Sequence, residues 1–394
     1  MEDSYNINDI LQKNEEFSPK KEPHKRGKKF PSWIKIVIWI LSIVISAVLI
    51  STVIIIGTGE YLGIGPGRGV KCTVQIDKGM STKQIARELK ESGAIGNEFA
   101  FRVFSKLKGF DGKYSYGVYS FNNEIGYNDL AKKLMSEGQK AETVTVVIPE
   151  GTGINDYTKN VNGENVTVPG IATLLENAGV CSKSDFLAAL DKVKLDSKLL
   201  SQVNKTQTYY ALEGYLFPET YNFYSYDSKE CAVLAVEKML KESEKRITED
   251  MYKKAESMGK TMNEILTLAS IIQMESGLNT TDMPGVAAVF YNRLNNSESF
   301  PTLGSSPTCY YGDSFKKDDG RYNTYNVKGL PPGPLCSPGI AAINAALNPT
   351  ENSPYYYFVT DKTGKFYFHK TLAEQNATIN RLKQGNNWIY EYFN

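Results

Sequence analysis

The chain has 394 residues, with 45 Lys and Arg against 44 Asp and Glu and a formal net charge of +1. That length predicts two or three domains and a sizeable core. So even a balance gives no bulk charge with which to attract nucleic acid. Only two histidines are present, His24 and His369, which excludes a zinc site built on two or three of them in the folded part.

Residues 1–35 are polar and basic, with Lys20, Lys21, Lys25, Arg26, Lys28, Lys29 and Lys35 against one intervening acid, Glu22. The first 32 of them predict a disordered tail. Residues 36–59 carry no charge, and 36–56 are nearly all aliphatic. Such a run predicts a single transmembrane helix over 36–57, long enough for a hydrocarbon core of ~30 Å. Trp33 and Trp39 lie near one end, as interfacial anchors do. The positive-inside rule then places the tail in the cytoplasm and everything after about Glu60 outside. Removing the eight basic and six acidic residues of the first 35 from the totals leaves 37 and 38 in the remainder. Residues 58–70 are glycine-rich with Pro66 and predict a linker.

A weak internal repeat follows. VQIDKGMSTKQIARELKESGAI (74–95) is matched by VVIPEG (146–151) and IATLLENAGV (171–180), with an insertion of fourteen residues in the second copy. Each copy predicts a strand, a turn and an amphipathic helix closed by glycine. The arrangement resembles LysM-like glycan-binding modules and equally suits a generic packing unit. Between the copies Asn97 is a helix cap, 114–121 reads as a strand and 128–138 as a helix. One α+β region over 71–200 accommodates these elements. From 206 to 394 the character changes. Helices are predicted at 229–246, 263–276, 285–294 and 339–347, then a hairpin over 355–368 and a last helix at 372–383. The stretch 295–338 reads as a long loop, and loops of that length are usually functional. The five cysteines show no CxxC spacing; the extracytoplasmic compartment permits a bridge, and Cys309 with Cys336 is the most plausible pair.

Within LTLASIIQMESG (266–277) one acid, Glu275, follows a helical apolar run. Leu268, Ile271 and Ile272 precede it by seven, four and three residues, so the carboxyl shares their face. Burial there raises a carboxyl pKa and keeps a proton available for general acid catalysis. A carboxylate pointing to water at a helix end is the plain alternative.

Five motifs occur in order: LEGYLFPETYNF (212–223), LASIIQMESG (268–277), VAAVFYNRL (286–294), YNTYNVKGLPPGPLCSPG (322–339) and YFVTDKTGKFYF (357–368). Together they resemble the endolytic murein transglycosylase, or YceG-like, family over nearly all of 70–383. The resemblance implies a membrane-anchored lytic transglycosylase. It would cut the bond between N-acetylmuramic acid and N-acetylglucosamine inside peptidoglycan strands, leaving 1,6-anhydromuramyl ends. Glutamates at two positions are common in relatives (VEKE); here Gln273 replaces the first, so the catalytic role falls on Glu275. Glu213, Asn292, Arg293, Asn323, Thr324 and Tyr325 are the candidate substrate-binding residues. Backbone contacts in a turn for Glu213, and a structural ion pair for Arg293, are the alternatives. The resemblance further implies no cofactor or metal, and peptidoglycan synthases and elongation proteins as partners. One departure stands out: where relatives read LQTDPT, this chain has Gly304 and Ser306 in place of the long amide and the carboxylate. A hydrolytic muramidase using Glu213 as second carboxylate, and a non-catalytic glycan-binding scaffold, are the competing readings.

Overall fold

The computed structural model describes residues 39–43, 62, 69–136, 142–161, 164–193, 197–204, 206–315 and 319–388. Of the expected span 36–57, only the helical piece 39–43 belongs to these; the rest lies outside the described residues. Among the described residues no helix is long and apolar enough to cross a membrane. The folded part, from Gly69 onward, forms its own compact unit.

Two strand–helix–helix–strand units succeed one another. In the first, β1 (Lys71–Ile76) leads to α1 (Thr82–Glu91), α2 (Glu98–Leu107) and β2 (Gly117–Asn122). β1 and β2 pair antiparallel from Lys71↔Asn122 to Ile76↔Gly117. Ser81 starts α1 through a capping box with Gln84, and the Asn97 side chain accepts the Ala100 N–H to start α2. Cys72, Val74 and Ile76 alternate inward along β1 and meet Ile85, Leu89 and Phe101 in a core of their own. Helix α3 (Tyr127–Met135) closes that core with Leu130 and Leu134.

The second unit repeats the order with β3 (Glu142–Val147), α4 (Ile171–Asn177), α5 (Lys183–Ala189) and β6 (Thr220–Ser225), β3 and β6 again antiparallel. The insertion detected in the second copy is a hairpin, β4 (Tyr157–Val161) and β5 (Glu164–Val168). An Asn-Gly pair at 162–163 in the sequence supplies its turn signal. The β3–β6 ladder runs across residues 200–206, where a domain boundary is expected, because the closing strand starts inside the motif at 212–223. A single apolar core accordingly extends from Val146 to Phe366.

The remaining elements wrap around one helix. They are α6 (Ser228–Arg246), α7 (Glu249–Ser257), α8 (Met262–Ser276), α9 (Met283–Asn295), α10 (Ser306–Asp313), α11 (Ile340–Leu347), β7 (Tyr357–Thr360), β8 (Phe366–His369) and α12 (Leu372–Gln384). Two of them, α7 and α10, have no counterpart in the sequence reading. Helix α10 lies in the stretch 295–338 read as loop; its serines, prolines and glycines hide a helix that starts with proline in its first turn. Residues 265–273 of α8 are all buried, so it is a central helix rather than an amphipathic one. Thr261 and Glu264 cap its start, and Gly277, at φ 58°, ends it. The loop at 334–339 is sewn to α8: Ser270 Oγ accepts the Leu335 N–H at 3.0 Å, and Gln273 Oε1 accepts the Gly339 N–H at 3.0 Å.

The first unit meets α6 through ion pairs rather than a shared core. Lys241 reaches Glu88 at 3.0 Å and Glu91 at 2.7 Å, Lys238 reaches Asp77 at 3.5 Å, and Lys71 pairs with Glu230. No disulfide joins Cys309 and Cys336: Cys336 Sγ donates to Ser270 O at 3.6 Å and Cys309 Sγ to Asn323 Oδ1 at 3.2 Å.

One glycine tests this packing. Gly214 has φ +77°, and a Cβ there would stand 2.2 Å from Pro334 Cβ. Left-handed backbone and overpacking each cost about 1–3 kcal/mol. Gly214→Ala is therefore expected to destabilise the fold by about 2 kcal/mol or more in denaturant unfolding; an unchanged midpoint would contradict the packing of Pro334 on this turn.

Candidate active site

Glu275 stands in the last turn of α8, where the helix leaves the core. Leu268, Ile271 and Ile272 are buried on its face, and Glu275 itself is half-buried. Loss of hydration pushes its carboxyl above the ordinary value of 4.5; a hydrogen bond from Ser305 and the charge of Arg293 hold it back in part. The negative end of the helix acts in the same direction as burial. The result is an acid that keeps its proton more readily than a surface glutamate.

The Ser305 O–H donates to Glu275 Oε1 at 2.6 Å. Ser305 is the residue before α10 and is itself held from behind. Its N–H donates to Thr324 Oγ1 at 3.0 Å, its carbonyl accepts the Thr308 hydroxyl at 2.6 Å, and Thr308 and Thr324 share a hydroxyl contact of 2.8 Å. Gly304 N–H also donates to Thr324 O at 2.8 Å. All three hydroxyl residues are buried, so the set is a fixed polar network in a low-dielectric setting. With Oε1 occupied by a donor, the proton of the neutral acid belongs on Oε2. One oxygen is anchored and the other is available.

The predicted site residues divide into two groups. Thr324 belongs to the hydroxyl network. Tyr325 is exposed and its hydroxyl lies 3.0 Å from Ser306 Oγ. Arg293 is close by: a Cβ on Gly304 would lie 3.6 Å from its Nη1 and 3.8 Å from the Tyr325 ring. Arg293 donates to Tyr356 O at 2.8 Å and Leu303 O at 2.7 Å, and its guanidinium lies 5.5 Å from the Tyr357 ring centre. It bonds carbonyls rather than a carboxylate, and its charge acts on Glu275. Asn323 folds its own loop, its Oδ1 accepting the Tyr325 N–H at 3.0 Å. Asn292 points away to a strut, donating to Ser353 O and Tyr355 O at 2.8 Å each.

Glu213 is not with them. It is 1% exposed, with Oε1 accepting the Ile154 N–H at 2.9 Å and Oε2 the Tyr311 hydroxyl at 3.1 Å. Among the described residues no hydrogen bond joins the two carboxyl groups. Burial pushes the Glu213 carboxyl up to about 8 against backbone and tyrosine donors that lower it. Its position makes it a tie between the turn at 153–154 and α10.

Ser305 and Thr308 are the members of this network that sequence reasoning did not assign. Their signal is Ser305 followed by Pro307, a helix start, read there only as a departure in a loop. Among the described residues no cluster of His, Cys, Asp and Glu suits a metal ion.

Residues 74–381 match the YceG-like family. The chain belongs to that family. Among curated proteins, this YceG-like chain is 30% identical over 321 residues to the endolytic murein transglycosylase of Bacillus subtilis, covering 77% of this chain and 82% of that one. It is 28% identical over 331 residues to the protein of the same name from Streptococcus pneumoniae, covering 78% of this chain but 57% of that one. A crystal structure of a YceG-like protein from Listeria monocytogenes is 29% identical, with a TM-score of 0.48 over 78% of this chain and 99% of that one.

Two measurements check the site. Ser305→Ala removes a donor that favours the ionised carboxylate, so Glu275 is expected to titrate at higher pH than in wild type. Carboxyl-carbon NMR would read this, and an unchanged or lower midpoint would contradict the contact. For Glu213, the folded-state value lies above the unfolded one, so between about 4.5 and 8 the folded state holds the extra proton. Stability from this group is present at the acid end and declines as pH rises through that window. Glu213→Gln is expected to flatten the decline in unfolding free energy; parallel slopes for the two proteins would rule it out.

Proposed function

We infer that this YceG-like protein is a membrane-anchored lytic transglycosylase that cleaves peptidoglycan strands internally, with Glu275 as the one catalytic acid and base. The observation that carries the reading is the anchored carboxyl: Ser305 holds Oε1 at 2.6 Å while burial favours the protonated form. Membership of the YceG-like family and the names of the two relatives support the reaction class. Glu275 Oε2–H protonates the glycosidic oxygen between N-acetylmuramic acid and N-acetylglucosamine as the bond to muramyl C1 breaks. The carboxylate so formed removes the proton from the muramyl C6 hydroxyl, whose oxygen closes on C1. The acid is regenerated, no water is consumed, and the muramyl end is a 1,6-anhydro sugar. Ser305 favours the intermediate carboxylate by donating to it, and Arg293 favours it by charge.

Arg293, Asn323, Thr324 and Tyr325 shape the substrate side of this centre, Tyr325 through an exposed ring suited to a sugar face. Asn292 holds the supporting loop. A muramidase reading needs a second carboxylate that can reach water; Glu213, with both oxygens engaged and 1% exposure, does not suit that task. The domain assignment follows the sequence: tail 1–35, anchor 36–57, linker 58–70, a LysM-like glycan-binding region over 71–200 and a catalytic domain over 206–394. The two strand–helix–helix–strand units support the fourth of these, although the second unit closes with β6, beyond residue 200. The catalytic part works outside the cell membrane beside the synthases that make new strands.

Mass spectrometry of peptidoglycan treated with the purified protein tests the reaction. Anhydromuramyl ends are expected from wild type, with a loss of at least ~10²-fold for Glu275→Gln, the usual scale for a removed general acid. Reducing ends from wild type, or equal yields from both proteins, would exclude the mechanism.

A further inference from the structure

Helix α2 has two apolar faces. Phe101 and Phe104 point into the core of the first unit, as an amphipathic helix requires. On the other side Phe99 is 70% exposed, Val103 40% and Leu107 82%. These positions are spaced i, i+4 and i+8, so they form one stripe along the helix. Single exposed apolar residues are ordinary; three large ones aligned on one helix form a patch of the kind that marks an interaction surface.

Two further observations indicate what covers it. The first is position. Asn123 Oδ1 accepts the N–H groups of Gly69 at 2.8 Å and Val70 at 3.0 Å, and its Nδ2 donates to Gly93 O at 3.2 Å. Gly93 lies four residues before Asn97, the cap of α2. The chain therefore enters the folded part beside the segment that leads into α2. Val70, at this entry, is itself 57% exposed. Only twelve residues, 57–68, separate that entry from the end of the aliphatic run, a reach of at most about 40 Å.

The second observation is charge. Lys90, which lines one surface recess with Phe99, and Lys106 and Lys108 are exposed, while Arg102 flanks the stripe and faces the one acid of the helix, Glu98, at 3.9 Å. Apolar side chains rimmed by cations are the chemistry of an anionic lipid surface: the apolar groups enter the acyl boundary and the cations meet headgroup phosphates.

We propose that the outer face of α2 docks on the anionic surface of the membrane, with Phe99, Val103 and Leu107 inserted and the flanking lysines on lipid phosphates. Docking would fix the orientation of the first unit and hold it against the bilayer. The proposal rests on the anchored reading above, through the short tether.

The test uses the full chain reconstituted in vesicles of phosphatidylethanolamine and phosphatidylglycerol. A photoreactive benzoylphenylalanine is placed at Phe99, at Leu107 or, as control, at Val166, which is 41% exposed on β5. All three positions are on the surface, so folding is not at stake. Flotation is scored first. A chain that does not float with the vesicles overturns the anchored reading and the docking together. Among floated samples, phospholipid adducts at positions 99 and 107 several-fold above position 166 are expected. Adducts to a second polypeptide, or equal lipid yields at all three positions, would overturn the docking and leave the anchor standing.

Discussion

The structure depends on drawing one carboxyl half out of water at the end of a helix that is otherwise all core. Helix α8 has no solvated face along residues 265–273, so its neighbours must supply every polar contact it needs. They do so in two places. On one side the 334–339 loop bonds Ser270 and Gln273; at the end, Ser305 bonds Glu275. A buried ionisable group without such a partner costs several kcal/mol. The hydroxyl network of Ser305, Thr308 and Thr324 is what makes the position tolerable.

Burial and hydrogen bonding oppose each other at Glu275, and the opposition suits an acid that must give and then take a proton. Desolvation raises the Glu275 carboxyl and favours its neutral form. Ser305 and the charge of Arg293 lower the cost of the ionised form. Glu213 is the contrast. It is more deeply buried, bonded on both oxygens by the protein and pushed to about 8, and its carboxyl ties elements together. The two perturbed carboxyls differ in setting: Glu213 is bonded on both oxygens, whereas Ser305 bonds one oxygen of the half-buried Glu275.

Much of this was legible in the sequence where periodicity and caps are local. The helices at 229–246 and 263–276, the hairpin across Asp361, and the repeat with its insertion all follow from such signals. The pairing of β3 with β6 was not, because a ladder between residues more than seventy apart leaves no local pattern. Helix α10 was hidden by its composition, and with it the role of Ser305, which appears only when the 303–308 segment folds back on Thr324. The face of Glu275 could be read from spacing, whereas its hydrogen-bond donor could not. The expectation that Arg293 forms an ion pair gives way to carbonyl contacts, a distinction that depends on where the 303 and 356 backbones lie.

The most direct test is a crystal structure of the Glu275→Gln protein with a peptidoglycan oligosaccharide bound. The side chain at 275 should lie within hydrogen-bond distance of a muramyl glycosidic oxygen through the atom not held by Ser305, with Glu213 out of contact with sugar. A glycosidic oxygen seated over a different carboxylate, or a sugar in contact with Glu213, would contradict the assignment of Glu275 as the single acid and base.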